Sequence, residues 1–139
     1  MSECFLVKVQ RDHLVHSNRN ADKWRRDRLK KDVDKQVRWR AKQLTPVGRA
    51  RVWVGVIKGN RNVYDPANLT DSMKPAVDAL VKAGIVHDDN FKFVQGPWLF
   101  HLGYDKRLRD VVEFIVCVSP WGTSQEDAKE LMRGFVTST

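Results

Sequence analysis

The chain has 139 residues, enough for one domain with a real core and too few for two. At 42% hydrophobic and 30% charged residues its composition is that of a globular protein, and no apolar run approaches the ~20 residues needed to span a bilayer, which excludes a membrane span. The net charge of +8 is split: residues 1–62 carry 17 Lys/Arg against 6 Asp/Glu, residues 63–139 carry 8 against 11. A basic half of that size attracts phosphate at a salt-dependent affinity, the footprint of a nucleic-acid partner, with a solvated basic surface as the plainer alternative.

In chain order, Glu3 to Gln10 reads as a strand, with Phe5, Val7 and Val9 alternating against Cys4, Leu6 and Lys8. MSECFLVKVQ has no basic region followed by a long apolar one, so it does not read as a signal peptide and a cytoplasmic protein is expected. Residues of about 20 to 44 lack Gly and Pro and are dense in helix formers, predicting one long basic helix with a narrow apolar stripe at Trp24, Leu29, Val33 and Val37. Asp27 with Lys31, and Asp34 with Arg38, sit at i,i+4 spacing, and much of the remaining basic charge is free for a partner. Arg49 to Lys58 follows as a strand that is apolar on both faces and so central in a sheet. A helix is predicted over Ser72 to Ala83, with Ser72 as N-cap because Pro75 is best tolerated in a first turn, and Gly84 as the stop. Phe91 to Phe100 and Val111 to Ser119 read as two more strands. Gly122 to Glu126 looks like a capping box opening a short helix to about Phe135. Cys4 and Cys117 lie in apolar runs without CxxC spacing and are expected to be free buried thiols. Tryptophan in strands and helices is more often core than a DNA wedge, and that is the expectation for Trp24, Trp39, Trp53, Trp98 and Trp121. His13 and His16 have HxxH spacing without a second ligand pair, which does not make a zinc site; His87 reads as a surface-loop histidine.

The segment from Asp65 to Asp89 sets five aspartates around the second helix of an otherwise basic chain. Bare carboxylates repel DNA, so they are easiest to understand if a divalent cation neutralises them and bridges to phosphate. At 100° per residue Asp71, Lys74 and Asp78 share one polar helix face, with Asp65 in the loop before it and Asp88 and Asp89 in the loop after. Mg²⁺ takes hard oxygen ligands, commonly one or two carboxylates with waters and substrate phosphates. Each acid also has an ordinary reading: Asp71 as a helix cap, Lys74 and Asp78 as a surface pair, Asp88 and Asp89 as a turn.

The stretch KPAVDALVKAGIVHDD, Lys74 to Asp89, resembles the K-x-x-x-D-A-L…G…DD signature of the RusA-type Holliday-junction resolvases of bacteria and their phages and prophages. Lys74, Asp78, Ala79, Leu80, Gly84, Asp88 and Asp89 fall at the family's spacing, and Asp65 and Asn68 stand in the preceding loop. The likeness covers residues of about 50 to 118 in order of elements, and the N-terminal strand and basic helix loosely. It implies a single α+β domain over 1–139, with a mixed sheet and helices packed mainly on one face. It also implies a Mg²⁺ site, Mn²⁺ being the alternative ion, formed by two acids of a D-x-D-N loop and the second Asp of the DD pair, assisted by the lysine. The chain departs from the family at that loop: counted back from Lys74, the motif falls on Asn68, Leu69, Thr70 and Asp71, while DPAN stands three residues earlier. Asp65 is therefore taken as the displaced ligand and Asp71 as its substitute, with Asp89, Lys74 and Asp88 as the other site residues and Asn68 and Asp78 in support.

The expected activity is paired hydrolysis of DNA phosphodiesters at a four-way junction by a homodimer, each chain contributing one site. Water activated by the metal attacks in line, and the metal and Lys74 stabilise the departing 3′ oxygen. Lys23, Arg25, Arg26, Arg28, Lys30, Lys31 and Arg61 hold the junction arms through phosphate, which positions DNA without reading bases. The compartment implied is the cytoplasm of a bacterial or phage-infected cell. Two other classes stand beside this one: a non-catalytic DNA-binding module, and a metal-dependent nuclease acting on flaps or RNA.

Overall fold

The structure is a computed structural model and describes residues 2–138. Seven main elements follow in the order β1 (Glu3–Gln10), α1 (Lys23–Ala41), β2 (Ala50–Lys58), α2 (Thr70–Lys82), β3 (Val94–Tyr104), β4 (Val111–Ser119) and α3 (Gln125–Ser138), with 3-10 turns at Arg11–His13 and Pro66–Leu69. The strands form one mixed sheet in the order β1-β4-β2-β3. β4 runs antiparallel to both of its neighbours, whereas β2 and β3 are parallel. Parallel neighbours cannot be joined by a hairpin, and α2 supplies the crossover between them. The chain is thus a single small α+β domain.

Alternation along β2 explains the layers. Val52, Val54 and Val56 point into a core shared with Leu29, Val33 and Val37 of α1 and Met73, Val77 and Leu80 of α2. Trp53 and Ile57 point the other way, onto Ala128 and Met132 of α3. Two helices cover one face and one covers the other, so β2 is buried on both sides, as its continuous apolar run implies. Full burial of each such aliphatic side chain is worth roughly 1.5–3 kcal/mol. Gly55 lets α3 approach: a Cβ there would meet Met132 Sδ at 2.8 Å. No described helix is long and apolar enough to cross a membrane.

α1 is shorter at both ends than the composition suggests. Asp22 Oδ1 accepts from the Arg25 amide at 2.8 Å and caps the start, while tight turns from Gln43 to Arg40 and Leu44 to Ala41 close the end. Its buried stripe is Leu29, Val33, Val37 and Ala41. Trp24 and Trp39 lie off that stripe and are 55% and 64% exposed, with Arg28 and Lys42 over their rings. The expectation of core tryptophans therefore holds for Trp53, fails for these two and for the exposed Trp98, and leaves Trp121 half-buried. Of the two expected i,i+4 pairs on α1, Asp34 and Arg38 form an ion pair at 3.3 Å.

α2 begins two residues before Ser72, which corrects the predicted N-cap. The 3-10 turn Pro66–Leu69 runs straight into the helix, so Pro75 sits in its second turn. Ser72 is instead fully buried, its hydroxyl donating to the Val15 carbonyl and accepting from the Val15 amide, each at 2.8 Å. β3 is displaced toward the C-terminus relative to Phe91–Phe100, because residues 90–93 form a turn in which the Phe93 and Val94 amides donate to the Asn90 carbonyl. Phe91 is left 82% exposed. The cap of α3 is a reciprocal pair: Ser124 Oγ accepts from the Asp127 amide and Asp127 Oδ2 from the Ser124 amide. Cys4 and Cys117 face each other across β1 and β4 as free thiols, Cys117 buried and Cys4 half-buried. A hydrogen bond to Cys117 and burial raise the pKa of Cys4.

Candidate functional site

The acids of the Asp65–Asp89 segment divide between the two ends of α2. Asp65 lies beyond the C-terminal end of β2 and is the N-cap of the 3-10 turn, its Oδ1 accepting from the Ala67 amide at 3.0 Å. Asp71, in the first turn of α2, holds Lys74 Nζ at 2.9 Å across one helical turn. The Asp71 amide donates to Ser17 Oγ at 3.1 Å. Asp71 is therefore not a cap, and Lys74 pairs with it rather than with Asp78. Asp78 is exposed further along the same face.

Asp88 and Asp89 lie at the opposite end. The bridge between Gly48 and Val86, and the His87 amide donating to the Gly48 carbonyl at 2.9 Å, fix this loop beside the N-terminal end of β2. Asp88 closes its own turn, accepting from the Asp89 amide at 2.7 Å and from Asn90 Nδ2 at 3.2 Å. Asp89 is exposed. The 13 residues of α2 span about 20 Å. The nine of β2 span about 26 Å. One chain therefore unites Asp71 with Lys74, and Asp88 with Asp89, and keeps these pairs apart.

At the Asp65 end the surroundings are cationic. Asp65 and Asn68 line a cavity of about 320 Å³ whose other polar walls include His16, Arg19 and Lys58. Lys58 ends β2 and its ammonium rests over the Tyr64 ring at 4.2 Å, while the Tyr64 hydroxyl lies 2.6 Å from His101 Nδ1. Burial pushes the Tyr64 phenol up to about 12. Burial and the charges of Arg19, Arg25 and Lys58 lower the pKa of His16; burial and Arg11 lower that of Lys58. Burial is the cause common to all three, and the added effect of neighbouring cations on His16 and Lys58 marks a local gathering of positive charge. The N-terminal loop is tied to the start of α2 by Ser72 with Val15 and by the Ser17 amide donating to the Asn68 carbonyl at 2.6 Å.

His16, Arg19, Lys58 and Tyr64 have no counterpart among the sequence-predicted site residues. Arg19 and Lys58 are far apart in the chain, and only the docking of the loop onto α2 brings them together. The predicted DNA contacts Lys23, Arg26, Arg28, Lys30 and Lys31 are exposed along α1, and Arg61 is exposed with its guanidinium over the Tyr104 ring at 4.4 Å. Arg25 is half-buried and donates to the Leu14 carbonyl at 2.9 Å. His87 stacks on Phe93 in the exit loop.

Carboxylate and amide oxygens are the right donors for a hard cation such as Mg²⁺. Among the described residues of one chain, no three His, Cys, Asp or Glu side chains converge to hold one. Asp65, beside Asn68 in the cavity, offers a single carboxylate, and Asp71 offers another already shared with Lys74. That fits part of a Mg²⁺ shell, with phosphate and water as the remaining ligands. No protein-family model matches the chain, and no curated protein matches it.

Proposed function

We propose that the chain is a divalent-metal-dependent endodeoxyribonuclease of RusA type that cuts four-way DNA junctions in the cytoplasm of a bacterial or phage-infected cell. The observation that carries this reading is the placement of Asp65 and Asn68 on a cavity they share with the cations Arg19 and Lys58. Cations draw in a phosphate, and a metal ion held by the carboxylate among them would bridge the two anions. The spacing from Lys74 to Asp89 adds the resemblance in sequence.

Asp65 and Asp71 would hold the ion from one end of α2 and Asp89 from the other. When bound, Mg²⁺ or Mn²⁺ supplies Lewis acidity at the phosphate and acidifies the attacking water. The chain's own residues do the rest. Lys74, anchored by Asp71, offers positive charge to the departing 3′ oxygen as the P–O bond breaks and the water oxygen bonds to phosphorus. The exposed cations of α1 hold junction arms through phosphate. The resemblance adds Asp89 as a third acid, and because α2 separates it from Asp65 and Asp71 it would come from a second copy; the homodimer is proposed on that ground.

The separation of the acids within one chain also favours a second reading, a DNA-binding module without chemistry. Synthetic four-way junction, linear duplex, flap and single-stranded DNA or RNA, each with and without Mg²⁺, separate the readings. Metal-dependent cutting confined to the junction is expected. Cutting of flaps or RNA in preference would reassign the substrate, and junction binding without any cut would leave the module.

A further inference from the structure

The cavity beside Asp65 continues into a second one of about 250 Å³, with which it shares Leu14, His16 and Arg19 and which reaches Asp22 and Arg25 at the start of α1. Together they form a trough from the N-terminal end of α1 to Asp65. We propose that this trough holds the phosphodiester backbone of a single DNA strand on its way to the site, with Arg19, Arg25 and Lys58 as the phosphate contacts. The proposal rests on the nuclease reading above and names the path its substrate takes.

Three observations support it. Among the described residues none of Arg19, Arg25 and Lys58 forms a salt bridge. Asp22, the acid nearest Arg25 in this trough, is already engaged as the cap of α1. Arg19, Arg25 and Lys58 outnumber the two carboxylates of the trough, Asp22 and Asp65, and an entering phosphate balances the excess. The walls are also preformed. Val15 is bonded through both backbone groups to the buried Ser72 hydroxyl, and Ser17 is bonded to both Asn68 and Asp71, so the loop bearing His16 and Arg19 is fixed against the turn bearing Asp65. Lastly, the two cavities are contiguous through Leu14, His16 and Arg19, so the three cations line one path that ends at Asp65.

The test is binding of a fluorescein-labelled four-way junction, and of a single-stranded oligodeoxynucleotide, in EDTA across a salt series. Each phosphate contact removed lowers the slope of log K against log salt by about 1. Arg19→Gln alone, at an exposed loop side chain that leaves the core untouched, is expected to lower the slope by about 1. Arg19→Gln with Lys58→Met is expected to lower it by about 2 on the junction and about 1.4 on the single strand, with the pair Arg19→Lys and Lys58→Arg restoring it. Wild-type slope and affinity in both variants would overturn the trough. Cleavage with Mg²⁺ judges the nuclease reading separately: a junction never cut by wild type, yet bound more weakly by the double variant, retains the trough and removes the nuclease. A junction cut by wild type and bound equally by both proteins does the reverse.

Discussion

The two ends of α2 carry acids of similar number and very different surroundings. At the entry end Asp65 and Asp71 sit near Lys74 and near His16, Arg19 and Lys58, the first two of these on an N-terminal loop stitched to α2 through Ser17 and Ser72. At the exit end Asp88 and Asp89 stand in an exposed turn that uses Asp88 to close itself. Asp65 and Asp88 each accept a backbone amide of their own turn, so what separates them is their surroundings: Asp65 shares its cavity with Arg19 and Lys58, whereas the hydrogen-bond partners of Asp88 are the Asp89 amide and Asn90. On the proposed reading the entry end would be where phosphate is met, and the exit end would contribute Asp89 to a site shared with a second copy.

The largest effects should come from breaking either end. Asp65→Asn and Asp89→Asn are each expected to reduce junction cleavage by at least about 10³-fold while leaving junction binding in EDTA unchanged, read by single-turnover cutting and anisotropy. Full activity in Asp89→Asn would make the exit end a turn and nothing more. Lys74→Met should slow cutting by roughly 10²-fold. Asp71→Asn should fall short of Asp65→Asn; the opposite order would show that the loop aligns with the family without a shift. Asp88→Asn keeps an acceptor for the Asp89 amide and should change the rate least.

Stability sharpens the same contrast on a smaller scale. Ser72→Ala removes a buried hydroxyl and leaves the Val15 amide and carbonyl unpaired, an expected loss of about 1–3 kcal/mol in urea unfolding. It should also loosen the N-terminal loop, raising hydrogen exchange at Val15 and Ser17 but not at His87. Ser124→Ala, a cap remote from both ends, should lose about 1 kcal/mol and leave cleavage as it was.

Much of the fold can be read from the chain because its signals are local. β1, β2 and β4 lie where their alternation puts them, and the buried stripe of α1 is set by Leu29, Val33 and Val37. The failures have physical reasons. A 3-10 turn leaves no 3.6-residue period, so the true start of α2 was hidden and Ser72 passed for a cap. Phe91 looked like strand, but Asn90 gathers the following amides into a turn. Trp24 and Trp39 belong to the outer face of α1, where a cation over each ring replaces burial. The candidate site was legible as a list of acids and not as an arrangement. The sequence sets Asp65 before the helix and Asp89 after it; that the two loops do not fold back together follows from the parallel pairing of β2 and β3, a long-range fact no spacing reveals. The cations that flank Asp65 come from the loop after β1 and the end of β2, and nothing local marks Arg19 or Lys58 as neighbours.

The most direct test of the whole account is to mix the two inactive variants. Asp65→Asn and Asp89→Asn, each unable to cut alone, are combined under conditions that exchange subunits, and Mg²⁺-dependent cutting of a four-way junction is measured against wild type. If one site draws Asp65 from one copy and Asp89 from another, mixed dimers hold one intact site each and cutting returns to a substantial fraction of wild type. A mixture that exchanges subunits and stays inactive would contradict a site shared between the two ends of α2.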